Sequence, residues 1–172
     1  MKRVLSILAA AFLTANVFGQ RTHYVGESYG DGIVFYVYDG GKHGIVTATM
    51  DRSTRKQSQN GTSAGTNTVT DGIDGGKFNT ERINAIKGAE EEVQIYSSYQ
   101  DSYYSDWYLP SKYELSLLYL NRAVLGGYTN FAKGWSITEA SRVNAWFKSF
   151  AAGGSFSNGK DDVVYIRVHR RF

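Results

Sequence analysis

Several stretches of the sequence carry residue types that do chemistry in other settings. Gly61-Thr62-Ser63-Ala64-Gly65 has the G-x-S-x-G spacing of a nucleophile elbow, which would present a serine hydroxyl for acyl transfer. That elbow needs an apolar strand before it and a helix after it, and here the surroundings are polar on both sides. Gly154 to Lys160 fits the G-x-x-x-x-G-K pattern of a phosphate loop. Asp161 stands where a serine or threonine would hold magnesium, and a strand is expected next rather than a helix N-terminus. His23, His43 and His169 are dispersed, with no H-E-x-x-H or similar ligand spacing. Asp71-Gly72-Ile73-Asp74-Gly75 and Asp161-Asp162 could offer oxygens to calcium, but neither completes a known loop and turn chemistry explains both. No catalytic group, metal or cofactor is therefore expected, calcium is unsupported, and the chain does not read as an enzyme.

Binding is the chemistry that the sequence favours. Tyr96, Tyr99, Tyr103 and Tyr104 fall among serines, glutamine and aspartate, in what reads as an exposed loop. Their flat apolar faces with hydroxyl handles suit stacking on sugar rings. Arg167, His169, Arg170 and Arg171 close the chain, and guanidinium groups can grip sulfate or carboxylate in bidentate fashion. The candidate ligand-binding residues are Tyr99, Tyr103, Tyr104, Arg167 and Arg171.

Elements that would position these residues follow from composition and pattern. The chain has 172 residues, enough for one domain with a core. Met1-Lys2-Arg3 followed by apolar Val4 to Leu13 reads as a secretory signal, placing the signal peptide at 1–20 and a single domain at 21–172. The apolar run is about 10 residues, short of the roughly 20 that span a bilayer, and no later run is longer. Removing Lys2 and Arg3 lowers the 19 basic residues to 17 against 16 acidic ones, so no general attraction to nucleic acid is expected. With no cysteine, an exported domain of this kind must be held by its core.

Ile33 to Tyr38 is β-branched and aromatic on both faces, and with Ile45 to Met50 it predicts a hairpin around Asp39–Gly44. Asp51 to Asn79 reads as a long loop. Thr80 is a candidate cap for a short helix marked by Ile83, Ile86 and Ala89. Ser111-Lys112-Tyr113-Glu114 matches a capping box, preceded by Pro110. It opens a helix whose apolar face holds Leu115, Leu118 and Tyr119, broadened by Leu117, Leu120 and Val124, and which stops at Gly126-Gly127. Trp135–Thr138 and Asn144–Phe150 are strand candidates. Ala151–Asp162 reads as a turn region. In the last strand Val164, Ile166 and Val168 face the core, while Tyr165, Arg167, His169 and Arg171 face outward. Trp107, Pro110, Ser111, Glu114, Trp135 and Trp146 are the expected structural anchors, the tryptophans in the core. Two helices on short, mainly antiparallel strands make an α+β domain.

The order of these motifs has a parallel. Gly32–Tyr38 with His43–Ala48, Asp106–Leu115, Trp135–Glu139, Asn144–Phe150 and Val164–Phe172 together resemble the family of the C-terminal domain of the Legionella collagen-like adhesin. That resemblance implies a C-type-lectin-like fold in an exported bacterial protein, secreted, periplasmic or at the cell surface. It implies a binding or adhesion role, with extracellular polysaccharide as the ligand. The lectin-type calcium signatures Glu-Pro-Asn and Trp-Asn-Asp are absent, and the shared motif residues read as fold determinants. The alternative is a structural or protein-partner module of the cell envelope with no glycan ligand.

Overall fold

The computed structural model describes residues 21–49, 52–55, 66–86, 103–125, 133–162 and 164–172, with backbone alone for 52–55 and 164. The leader at 1–20, the Gly61–Gly65 motif, Ala89, Tyr96, Tyr99 and Gly126-Gly127 lie outside these residues. In chain order the elements are β1 (Ser28–Tyr29), β2 (Gly32–Tyr38), β3 (His43–Ala48), β4 (Arg52–Arg55), α1 (Gly75–Ala85), α2 (Lys112–Leu120) and α3 (Arg122–Leu125). Then come β5 (Lys133–Glu139), β6 (Asn144–Ser149), β7 (Ser155–Gly159), β8 (Val164–Ile166) and β9 (His169–Arg171). One sheet has the order β1-β2-β3-β9 and the other β4-β8-β5-β6-β7, giving a mixed α+β architecture with three described helices rather than two. Pairing is antiparallel except between β5 and β8.

The β2–β3 hairpin forms where its composition predicts, around a 3-10 turn at Asp39–Gly41. Val34, Phe35, Ile45 and Val46 are all fully buried, so both faces of this pair are covered. The polar stretch after it is less idle than expected. It contains β4, and α1 begins inside it at Gly75. Thr80 does not cap that helix. It lies within it, donating to the Gly76 carbonyl at 2.8 Å and accepting from Leu109 N–H at 3.1 Å. The N-cap is Asp74, in left-handed backbone with φ 71°. Two glycines at the start of a helix cost local propensity, which hides the start from a sequence reading. Packing is the compensation: a Cβ on Gly76 would lie 2.3 Å from the Leu109 carbonyl and 2.4 Å from Glu114 Oε2.

The capping box at α2 is present in full. Ser111 Oγ accepts from Glu114 N–H at 3.1 Å, and Glu114 Oε2 accepts from Ser111 N–H at 2.8 Å. Leu115 and Leu118 enter the core beside Phe35, Ile45, Tyr108 and Phe150. Leu120 and Val124 do not broaden that face, being 70% and 63% exposed. The helix breaks at Asn121, whose side chain donates to the Phe35 carbonyl at 3.0 Å, and beyond it Leu125 returns to the core of Leu115 and Leu118.

The second core cluster joins Trp107, Leu109, Trp135, Ile137, Ala145, Phe147, Ile166 and Val168, with Ala48 and Ile83. Trp107 and Trp135 are buried as expected. Trp146 is only half-buried, because Ala145 and Phe147 point to this core and Trp146 takes the other face of β6. There the Lys112 ammonium lies 4.7 Å from its ring centroid. The turn region after β6 also holds a strand, β7, whose Phe156 ring sits 5.7 Å from that of Phe147.

The chain end departs furthest from its predicted form. Instead of one strand there are two, β8 in one sheet and β9 in the other, so the segment passes between the sheets. Arg167, Val168, His169 and Arg170 are consequently all 5% exposed or less, whatever their parity. Arg167 and His169 are buried residues, not outward-facing ones.

Two substitutions separate these contacts. Ser111→Ala should cost about 1–2 kcal/mol, since the hydroxyl both caps α2 and donates to the Gly72 carbonyl. Gly76→Ala should cost more, at least ~2 kcal/mol, because its Cβ meets backbone that cannot yield. Urea unfolding midpoints of the two variants give the comparison.

Candidate functional site

The surface carrying the predicted tyrosines is built on the β1–β2 turn. Gly30 and Asp31 both have positive φ, 54° and 60°, as a two-residue hairpin of the primed type requires. Asp31 Oδ2 accepts the Tyr103 N–H at 3.3 Å and so ties the incoming segment to that turn. Tyr103 itself is fully exposed. Tyr104 is half-buried and packs on the core beside Trp107. Tyr99 lies outside the described residues.

Arg170, beneath Tyr104, belongs to the terminal cluster read from the sequence but not to the candidate binding set drawn from it. Its guanidinium carbon sits 3.7 Å from the Tyr104 ring centroid and 6.0 Å from that of Trp107. A Cβ on Gly30 would collide with its Nη2. Nη1 donates to the Arg171 carbonyl at 3.2 Å and lies 3.8 Å from the exposed Asp106 carboxylate. Nε and Nη2 have no hydrogen-bond partner among the described residues. The clue was parity. In β9 Arg170 pairs with Val46 and Arg171 with Ile45, so the two arginines take opposite faces of the sheet.

Arg171 points the other way and is committed internally. It bonds to Asp74 Oδ1 and to the Tyr38 hydroxyl, joining β9 to the start of α1 and to β2. Arg167 is 4% exposed. The structure therefore brings Tyr103 and Tyr104 together with Arg170, Asp31 and Asp106, and places Arg167 and Arg171 elsewhere.

The groups with displaced proton affinities are enclosed. Burial pushes the Glu114 carboxyl up to about 7, although Ser111 N–H, the Tyr108 hydroxyl and Asp74 N–H pull it back. Burial also holds the His169 imidazole down at about 3, with Arg167 adding to the effect, and both its ring nitrogens lack partners among the described residues. Tyr108 is raised well above its ordinary value by burial and by Glu114. Values near neutrality often mark catalytic acids and bases. Glu114, however, has no exposed surface, and its oxygens accept from Asp74 N–H, Tyr108 Oη and Ser111 N–H at 3.1, 3.1 and 2.8 Å. It joins parts of the fold to one another and presents nothing to a substrate.

Other chemistry-bearing motifs are taken up in the same way. Lys160, the end of the phosphate-loop pattern, is 4% exposed and bonded to Glu139 at 2.5 Å, with no helix at its side. Glu139 also accepts from Thr66 N–H and Oγ1 at 2.8 and 2.7 Å. Asp71 accepts the Tyr113 N–H at 2.7 Å and pairs with Lys112 at 3.3 Å. Among the described residues no group of three or more His, Cys, Asp or Glu converges as metal ligands would, and no helix is long and apolar enough to cross a membrane. Compared with protein-family models and with curated proteins, the chain matches none.

The carboxylates set a pH signature. Burial raises Glu27 and Glu139, but His23, Tyr24 N–H and Arg21 on the first and Lys160 with Thr66 on the second outweigh it, so both end below the ordinary range. Their contribution is present above the unfolded value of about 4.5 and is lost as pH falls below it. Glu114 has the opposite sign. Its contribution is full below about 4.5 and is lost as pH rises through about 7, on the order of 3 kcal/mol. His169, held down at about 3, works against this loss, since its contribution is present above the unfolded value of about 6.5 and falls away below it. The two oppose each other between about pH 4.5 and 6.5, so stability should be nearly level there and should fall below about pH 4.5, where the loss at His169 continues and those at Glu27 and Glu139 set in. Glu114→Gln should be less stable at low pH, because its amide faces a backbone donor, and without the opposing glutamate its stability should rise from about pH 4.5 to about 6.5, where the parent chain is level. Urea midpoints across pH measure both.

Proposed function

We propose that the chain is an exported bacterial binding or adhesion module, C-type-lectin-like in fold, whose ligand is an extracellular polysaccharide. The observation that carries this reading is Tyr103, fully exposed beside Tyr104 on a segment held by Asp31 and Arg170. An exposed tyrosine ring offers a sugar a flat apolar face and a hydroxyl. Asp31 fixes the backbone of Tyr103, and Arg170 occupies one side of Tyr104. Ordering that a ligand would otherwise impose is thus made in advance, which lowers the cost of binding. Asp31 and Asp106 supply polar acceptors at the rim.

The candidate set changes accordingly. Arg167 and Arg171 leave it, and Asp31, Asp106 and the underlying Arg170 join Tyr103 and Tyr104. Residues 21–172 titrated against a glycan panel that includes neutral and acidic polymers should bind at least one of them. Tyr103→Ala should then weaken that binding about tenfold or more, ~1.4 kcal/mol, with an unchanged unfolding midpoint. Binding indifferent to Tyr103, or absent across the panel, would sink the assignment.

A second reading, a protein-partner module of the cell envelope, is favoured by a different surface. Leu120, Val124 and Tyr24 are 70%, 63% and 67% exposed, and Val124 lies against Gly26 in the segment that carries Tyr24. Co-purification of a stoichiometric protein from native envelope, lost in Leu120→Glu, would support it over glycan binding.

A further inference from the structure

Lys148 is an unusual lysine. It sits on β6 on the same face as Trp146, in the seam between that strand and α2, and only 8% of its surface is exposed. Among the described residues its ammonium nitrogen has one hydrogen-bond partner, Ser116 Oγ, at 3.4 Å. The Ser116 hydroxyl donates its own proton to the Lys112 carbonyl at 3.0 Å, so it presents lone pairs to Nζ. The Tyr119 ring lies 5.1 Å from the nitrogen. Among the described residues no carboxylate pairs with it, whereas the other buried lysine, Lys160, is held by Glu139.

The charges around Lys148 are of the wrong sign for an ammonium. Arg122 from α3 lies over the same Tyr119 ring at 3.8 Å. Lys112 from α2 covers Trp146, the neighbouring side chain on this face, and takes up Asp71 at 3.3 Å. From β5 the residue opposite Lys148 is Gly134, from β7 it is Ser155, and neither carries charge. Lys133 lies over Phe147 on the opposite face. A buried cation that shares an aromatic ring with a second cation and lacks a counter-charge is better accommodated as a neutral amine. The lysine's proton affinity is lowered by burial.

We propose that Lys148 is a nucleophilic amine site in the α2–β6 seam, which takes small carbonyl or acyl electrophiles. The neutral nitrogen lone pair attacks an aldehyde carbon to give a carbinolamine. Loss of the former carbonyl oxygen with both amine protons, as water, leaves an imine on Lys148. With an acyl donor the same attack expels the leaving group and gives an amide, the amine proton leaving with it. Depth in the seam restricts the site to small reagents. An ordinary surface lysine, mostly protonated near neutral pH, is the slower nucleophile. The neutral fraction rises about tenfold for each unit by which the midpoint falls. This site is separate from the Tyr103–Tyr104 surface and stands whether or not a glycan binds there.

The test uses the full chain with trace acetic anhydride, and in parallel formaldehyde with cyanoborohydride as the trap, from about pH 6 to about pH 10. Mass spectrometry of peptides follows Lys148 against the exposed Lys42 and Lys77. The expected result is faster modification of Lys148 at neutral pH, with a rate–pH midpoint below those of the reference lysines. That difference should disappear in urea. Ser116→Asp, which sets a carboxylate beside Nζ, should return the midpoint to the reference range and slow the neutral-pH reaction. Arg122→Gln, which removes the second cation over the Tyr119 ring, should raise that midpoint part of the way. Lys148 unmodified in the folded chain, or modified with the same midpoint as Lys42 and Lys77, would overturn the proposal.

Discussion

A buried carboxylate is the interaction on which the rest of this structure leans. Glu114 has no exposed surface, yet its oxygens meet three donors from three places: Ser111 N–H at the start of α2, Asp74 N–H at the start of α1, and the Tyr108 hydroxyl between them. The first turn of a helix carries unpaired N–H groups that need acceptors, which the Glu114 oxygens supply even though burial raises the carboxyl to about 7. Here one carboxylate serves the entry of two helices. An isolated carboxylate could not stay in such a place without donors. Removing the donors would strand the buried carboxyl group, and removing the carboxyl group would leave the donors unpaired, so the helices and the glutamate depend on each other. Gly76 belongs to the same arrangement, because only a residue without a Cβ lets α1 approach Leu109 and Glu114 so closely.

The second tie runs through the chain end. Segment 164–171 leaves one sheet, pairs with Tyr108 through a bridge at His169, and finishes in the other sheet. Ala48 N–H donates to the Val168 carbonyl at 3.0 Å, and Tyr108 and His169 exchange both backbone hydrogen bonds at 2.8 Å. Arg171 then reaches Asp74, the N-cap of α1 whose own N–H goes to Glu114. Helix starts and sheet junction are therefore one connected network. In a chain with no cysteine, this polar network and the two apolar clusters around it supply the long-range connections.

How much of this was legible depends on whether the signal was local. The hairpin and the capping box involve neighbours in sequence, and both form where the residues predict. Tertiary context decides the remainder. The α1 start is masked by Gly75-Gly76, poor helix formers that are required by contact with Leu109 and Glu114. The parity rule for Arg167 and His169 assumed a strand with one solvent face, and it fails because their segment is covered by both sheets. Trp146 follows the period of β6 correctly, but aromatic character suggested core where alternation assigns the face that Ala145 and Phe147 leave. Tyr103 and Tyr104 were legible as a pair. The arginine beneath Tyr104 was not, since its role depends on which of two adjacent arginines faces the turn at Gly30 and Asp31.

That last point bears on where binding can reside. A side chain already spent on the fold cannot be offered to a ligand without a cost in stability, and Arg171, Glu114, Glu139 and Lys160 are all spent in this way. Tyr103 is not: its backbone is fixed by Asp31 while its ring touches solvent on all sides. Tyr104 stands between the two conditions, one face supported by Arg170 and its edge on the core. A stacked guanidinium keeps the ring in place more firmly than apolar packing alone, because the attraction depends on the ring lying across the charge. Rigidity delivered from below, with an unspent aromatic above, is the arrangement that separates this surface from the aromatic clusters at His23 and at Tyr119. Tyr29 and Phe172 close on His23, and Tyr119 is occupied by Arg122 and Lys148.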